Sequence, residues 1–193
     1  MYKRLFIVII CMMAFCSCSN KNITSKPLNK NQISAKQIVE GVEPFINEVF
    51  ADKKYHIGKI FMKLNKMHKG DVILTYAEDV EKGEPNVYEA KIDTKKGQID
   101  YIKKLGRNSK INPGKIGFSD WKVDSTDALK ITTSLFEDLE DFQYDSITIQ
   151  SNNMYKEKHE IWIVELYSST QKKKYWSEID PVTGAVYDSG VSQ

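Results

Sequence analysis

Apolar and polar positions along the chain predict one helix followed by four strands in its first half. Beyond residue 34, apolar side chains recur at helical spacing and predict a helix over residues 35–52. Ser34 and Gln37 stand three residues apart at its start, the spacing of a capping box. Segments with strand-like composition follow, and they predict strands at residues 57–64, 71–77, 87–93 and 98–102.

The same order of predicted elements occurs in the second half. Asp124 and Ser125 precede a shorter apolar-periodic segment, which predicts a helix ending near residue 139. Four more strands are predicted, at residues 146–150, 160–168, 174–180 and 185–188. We therefore expect an α+β fold of two tandem units, each a helix followed by an antiparallel β-meander.

The composition of the connecting segments predicts the domain organisation. The segment before the first helix is polar and contains almost no apolar residues, which predicts a flexible tether. A Lys-, Gly- and Asn-rich stretch predicts a linker between the units. The expected parts are a signal peptide at residues 1–17, the tether at 18–33, a first unit at 34–104, the linker at 105–117 and a second unit at 118–190.

The last hairpin of each unit carries the same short motif. Its shared positions are a tyrosine, an isoleucine followed by an aspartate, and a glycine: Tyr88, Ile92, Asp93 and Gly97, then Tyr175, Ile179, Asp180 and Gly184. An aspartate can accept hydrogen bonds from backbone groups of its own turn, and glycine adopts the positive φ that closes a hairpin. We therefore interpret these residues as structural rather than catalytic.

A helix followed by a meander that ends in this motif resembles the PepSY domain, a family found in peptidase propeptides and in small bacterial lipoproteins. The second copy carries the stronger match, because its turn reads Asp180-Pro181-Val-Thr183-Gly184. The resemblance implies two PepSY-like units and a role in binding or restraining an exported peptidase.

The first nineteen residues have the pattern of an export signal. Lys3 and Arg4 precede an apolar run over residues 5–15, which is too short to span a bilayer core of roughly 30 Å. The end of the run, Ser17-Cys18, resembles the lipobox of bacterial lipoproteins, which implies lipid on Cys18 and cleavage before it; Cys16 follows the bulky Phe15 and fits this pattern less well. An ordinary cleaved signal peptide is the alternative.

Charge and cysteine content limit the chemistry of the processed chain. All three cysteines lie in the signal region, so cleavage and lipidation leave no free thiol and no disulfide. The whole chain has 28 basic and 26 acidic residues, and loss of Lys3 and Arg4 leaves it neutral. A neutral chain has no general field that would attract nucleic acid.

Patterns typical of catalytic and cofactor sites do not occur in the sequence. The three histidines, His56, His68 and His159, stand alone without metal-binding spacing, and no glycine-rich phosphate loop or nucleophile elbow occurs. We therefore predict no enzyme activity, no metal and no cofactor. Trp162, Tyr175 and Trp176 lie on predicted strands and are either core residues or ligand-facing rings.

Two functions remain open at this stage, with a third of lower weight. The first is a non-enzymatic protein of the cell envelope, anchored outside the cytoplasm by lipid on Cys18, that binds another protein such as an exported peptidase. The second is a lipoprotein that binds a small ligand or cell-wall fragment in a cleft lined by Trp162, Tyr175 and Trp176. The third is a hydrolase on an α+β scaffold resembling the cystatin or nuclear-transport-factor-like folds.

Overall fold

The structure of the chain is a computed structural model, which describes residues 23–28, 34–50, 53–107, 115–136, 146–152 and 160–193. Its helices are α1 (Ala35–Phe50), α2 (Ser125–Ser134) and a short 3₁₀ turn at Phe118–Asp120. The strands are β1 (Ile23–Pro27), β2 (Tyr55–Asn65), β3 (Gly70–Glu78), β4 (Asn86–Asp93), β5 (Gln98–Arg107), β6 (Ser146–Asn152), β7 (Ile161–Ser168), β8 (Lys173–Ile179) and β9 (Val186–Ser192).

All nine strands form one antiparallel sheet, and the predicted fold class of two tandem units is therefore wrong. The strand order is β1-β5-β4-β3-β2-β6-β7-β8-β9. The two halves join in the middle, where β2 pairs with β6 along seven residues, from Lys59 opposite Asn152 to Asn65 opposite Ser146. Every strand has backbone N–H and C=O groups along two edges. Here the first strands of the two halves, β2 and β6, pair these groups with each other.

Both helices pack on the same face of this sheet. Along β2, Ile60, Met62 and Leu64 are buried toward the helices, whereas the alternating Lys59 and Lys63 are exposed on the other face. One hydrophobic cluster contains buried residues of α1, α2 and the inward side of strands β2 to β8. The sheet thus has a helix-covered face and, within the described residues, a face without helices.

The amino-terminal ends of the helices meet each other across this core. The capping box predicted at Ser34 and Gln37 is confirmed, with each backbone N–H donating to the other residue's side chain. Asp124 caps α2 by accepting from the Ser125 N–H at 2.6 Å and also accepts from the Lys36 N–H of α1. The side-chain oxygen of Ser125 accepts from the Ala35 N–H at 2.8 Å. The start of α2 therefore supplies caps to two unpaired N–H groups of α1 as well as to its own first N–H group.

The predicted tether contains an ordered strand. Within residues 18–33, Ile23–Pro27 forms β1, which pairs with the outer edge of β5. The Leu28 N–H continues this contact by donating to the Gly97 carbonyl. The predicted signal peptide and Cys18, the predicted lipidation residue, lie outside the described residues.

Candidate functional site

The repeated motif residues form two matching turns. The Asp93 carboxylate accepts hydrogen bonds from the Lys95 and Lys96 N–H groups. In the other turn the Asp180 carboxylate accepts from the Val182 and Thr183 N–H groups. The N–H of each closing glycine donates to its aspartate's carbonyl at 2.9 Å, and Gly97 and Gly184 have φ of 67° and 79°. These contacts show that the aspartate and glycine of each motif close a hairpin turn.

The hydrogen bonds in the two turns lower the pKa of both aspartates. Partial burial acts to raise the pKa of Asp180, but the donors at Val182, Thr183 and Tyr187 outweigh it, and the net effect lowers the pKa. The pKa of Asp93 is lowered for a similar reason, with Lys96 and the Lys95 N–H opposing the effect of burial. A lowered pKa keeps the carboxylate charged, as a turn acceptor requires.

The other motif residues lie on the helix-covered face. Ile92 and Ile179 are fully buried. Tyr88 packs on Phe50 at the end of α1, with ring centroids 4.4 Å apart. Tyr175 packs edge-on against Phe136, which follows α2, at 5.1 Å. The tyrosines thus hold the ends of the two helices against the sheet.

The three aromatic side chains considered for a ligand cleft do not share one. Trp162 is fully buried and donates to the Val123 carbonyl at 2.9 Å. Tyr175 is 2 % exposed on the same face. Trp176 lies on the opposite face. Its ring packs so closely on Gly190 that a Cβ atom at position 190 would lie 3.1 Å from the indole nitrogen.

The described residues show neither a metal cluster nor a membrane-spanning helix. No group of three metal-ligating side chains occurs among them. His56 contacts Asp79 at 2.5 Å, and His68 lies in the β2–β3 turn with a φ of 58°. None of the helices in the described ranges is long and apolar enough to cross a bilayer.

One edge of the sheet is exposed. β9 pairs with β8 on one side and has no second neighbour among the described strands. It exposes Val186, Tyr187 and Val191, which are 37 %, 53 % and 49 % accessible. Its one charged residue is Asp188, and it contains neither lysine nor proline, two residues with which proteins commonly protect an edge strand. The opposite edge strand, β1, carries both Lys26 and Pro27.

A cavity of about 410 Å³ lies between α1 and the segment around the 3₁₀ turn. Its apolar lining comes from Val39 of α1, Ile57 of β2, and Ile116 and Phe118. Tyr76 of β3 also lines it, and this side chain is 1 % exposed. The Tyr76 hydroxyl has no hydrogen-bond partner within the part of the chain that the structure describes.

The charged lining of the cavity comes mostly from α1. Lys36, Glu40 and Glu43 face it at helical spacing, and Lys115 and His56 add to the lining from other segments. The Lys36 ammonium donates to the Trp121 carbonyl at 2.9 Å. Burial raises the pKa of Tyr76 well above its usual value, with additional contributions from Tyr55 and the Glu43 carboxylate. Glu43 also contributes, after burial, to the raised pKa of Tyr55.

The wall opposite α1 is attached to the second half of the sheet. Glu160, just before β7, accepts hydrogen bonds from the Gly117 N–H and from the Trp121 indole, the latter at 2.6 Å. Burial raises the pKa of Glu160, although both hydrogen bonds act in the opposite direction. The Phe118 and Trp121 rings pack at a tilt with centroids 4.5 Å apart, and Trp121 packs edge-on against Trp162 at 4.6 Å. Both halves of the chain therefore shape this cavity.

Sequence reasoning did not find this cavity. Its residues come from α1, β2, β3 and the segment at 115–119, which are distant along the chain. The one signal available was Tyr76, which follows Val72 and Leu74 at strand spacing and so places a hydroxyl group on the buried face.

Comparison with known proteins shows a similar fold in one solved structure. That structure is described as "a putative lipoprotein (CD1622)" from Clostridium difficile 630, and it matches with a TM-score of 0.55. The match covers 86 % of this chain and 100 % of that one at 11 % identity, so it concerns the fold alone. No family model matches the chain, and the predicted PepSY-like units are not confirmed. The search of curated proteins found no match.

Proposed function

We propose that this chain is a bacterial lipoprotein of the cell envelope, anchored through lipid on Cys18 and facing outside the cytoplasm. Its support is the lipobox-like Ser17-Cys18 after a short apolar run, and a neighbour of similar fold that is itself described as "a putative lipoprotein". On this proposal residues 18–22 and 29–33 connect the lipid to the domain, and β1 docks onto the sheet between them.

The anchored domain binds another protein of the envelope and is not an enzyme. The observation that carries this proposal is the exposed β9 edge, because an unpaired strand edge can accept an extended segment of a partner. Backbone hydrogen bonds would supply affinity, and the exposed Val186, Tyr187 and Val191 would select the partner's side chains.

A comparable strand edge, that of β5, is covered by another strand of the same chain. β5 and β9 hold corresponding places in the repeated hairpins, and each pairing has a register shift at the matching position, Lys91/Ile92 and Glu178/Ile179. On β5 the chain's own β1 occupies the outer edge in antiparallel register. We infer that β9 accepts an extended segment of a partner in the same way. A basic residue in that segment would complement Asp188.

A Val191→Lys variant tests the proposal, since lysine on an edge strand hinders the approach of another strand. The tagged, anchored variant is expected to capture much less of the envelope partner than the wild type. Val80→Lys is the matched control, because Val80 is 41 % exposed but lies in the connection between β3 and β4. Equal capture by the wild type and Val191→Lys would contradict binding at β9.

A narrower form of the proposal makes the partner an exported peptidase that the domain restrains. Its support is the resemblance of the two hairpins to the PepSY motif, at Asp93 with Gly97 and Asp180 with Gly184. The full chain in detergent is expected to inhibit an exported peptidase of the same organism in proportion to its concentration. If these peptidases keep full activity at high molar excess, the inhibitory role is wrong, while partner binding at β9 is tested separately by capture.

A further inference from the structure

We propose that the cavity between α1 and the 3₁₀ turn is a binding site for a small amphipathic amine. This site is distinct from the β9 edge and stands or falls independently of the protein partner. At about 410 Å³ the cavity falls within the roughly 300–1,000 Å³ range of small-molecule sites. Most of its wall area is apolar, and its polar groups include the charged side chains of Lys36, Glu40, Glu43 and Lys115.

The first feature that indicates a ligand is the hydroxyl of Tyr76. It is buried away from water and has no hydrogen-bond partner among the described residues. A buried polar group without a partner costs about 1–3 kcal/mol, and native proteins rarely keep one without a reason. A ligand donor or acceptor that reaches this oxygen would remove the cost.

The second feature is the charge beside that hydroxyl. Glu43 lines the cavity and is close enough to influence the electrostatics of both Tyr55 and Tyr76. Glu43 is exposed to solvent, and within the described residues it forms neither an ion pair nor a hydrogen bond. Of the two lysines in the lining, Lys36 already donates to the Trp121 carbonyl, and Lys115 lies on the opposite wall and is exposed. On the α1 wall beside Glu43, a protonated amine therefore fits better than a carboxylate.

The third feature is the apolar lining beyond that end. Val39, Ile57, Ile116 and Phe118 offer aliphatic and aromatic surface for the body of the ligand. The ring of Tyr55, also in the lining, stacks on Phe50 with centroids 4.6 Å apart and adds to the aromatic surface of the cavity. Glu160 holds the Phe118 side of the cavity in place through Gly117 and Trp121.

Phenethylamine is a suitable probe, because it joins a small aromatic body to a protonated amine. The full chain, solubilised in a non-ionic detergent and ¹³C-methyl-labelled at isoleucine, reports binding at each methyl group. We expect phenethylamine to shift the Ile57 and Ile116 resonances and to leave that of Ile163, on the helix-free face, unchanged. 3-Phenylpropionate, of similar shape but opposite charge, is expected to bind about two- to fivefold more weakly.

Two variants make the test specific. Glu43→Gln is expected to weaken phenethylamine binding about two- to fivefold, as loss of an exposed ion pair does, whereas Glu48→Gln on the same helix but outside the cavity lining keeps wild-type affinity. Tyr76→Phe is expected to weaken binding while leaving Tm unchanged or higher, because it removes an unpaired hydroxyl. Equal binding of the two probes, equal effects of Glu43→Gln and Glu48→Gln, or shifts that omit Ile57 and Ile116 would overturn the proposal.

Discussion

Met62 and Ile149 lie opposite each other at the centre of the sheet, where β2 pairs with β6. Met62 is fully buried and Ile149 is 2 % exposed, so both contribute to the single core beneath the helices. Because this pairing joins the two halves through backbone and core alike, neither half has a separate hydrophobic core of its own.

The first prediction concerns cooperativity. Ile149→Ala is expected to destabilise the whole domain by about 2–5 kcal/mol, since it leaves a cavity at the junction of the two halves. Thermal unfolding followed by circular dichroism should still show one transition, shifted to lower temperature. Thr148→Ala, the neighbouring substitution on the opposite face, should have a much smaller effect. Two separate transitions, with only one of them shifted, would mean that the halves fold independently.

The second prediction concerns the meeting of the two helix ends. Ser125→Ala removes the acceptor of the Ala35 N–H, which is buried, and is expected to cost about 1–3 kcal/mol. Ser134→Ala, at the exposed end of α2, is the matched control and should change stability by less than about 0.5 kcal/mol. Chemical denaturation measures both values. Equal effects would mean that Ser125 does not contribute as a cap for α1.

Local elements were largely predictable from the sequence, whereas their arrangement was not. The first helix was predicted at residues 35–52 and is observed at Ala35–Phe50, because its apolar spacing and capping box are local signals. The turns at Asp93–Gly97 and Asp180–Gly184 likewise depend on nearby residues alone. Their repetition in the sequence correctly indicated matching hairpins.

The sequence contains no comparable local signal for the pairing of β2 with β6. The period-two pattern of Ile60, Met62 and Leu64 shows which side of β2 is buried but not which strand lies beside it. The same limit applies to β1, since Ile23–Pro27 is short and mostly polar and its place in the sheet comes from pairing with β5. The candidate cavity was missed for the same physical reason, because it depends on how α1 and residues 115–119 lie across the sheet.

The third prediction is a pH dependence of stability that involves Asp180. Its pKa is lower in the folded state than in the unfolded chain, where it returns to about 3.8. Unfolding therefore takes up a proton in acid, and the stability contributed by this carboxylate decreases as the pH falls through that region. Asp180→Asn should reduce the slope of unfolding free energy against pH below about pH 4. An unchanged slope would contradict a charged acceptor in this turn.

The fourth prediction tests the anchor. Cys18→Ala is expected to remove the lipid-derived mass from the protein and to release the domain from the membrane fraction. Cys16→Ala, two residues earlier, should leave both lipid and membrane association intact. Mass spectrometry and fractionation of cells distinguish these outcomes. Retention of the lipid in Cys18→Ala would place the modification elsewhere.

The fifth prediction addresses the central claim, that an anchored domain binds a protein partner at β9. A photo-crosslinking phenylalanine analogue at Tyr187 samples the edge, and the same analogue at Val80 samples exposed surface elsewhere. In intact cells with the chain correctly anchored, irradiation should give a distinct adduct with an envelope protein from position 187 but not from position 80. This adduct should decrease when Val191→Lys is introduced. Identical adducts from both positions, or none from position 187, would contradict partner binding at this edge.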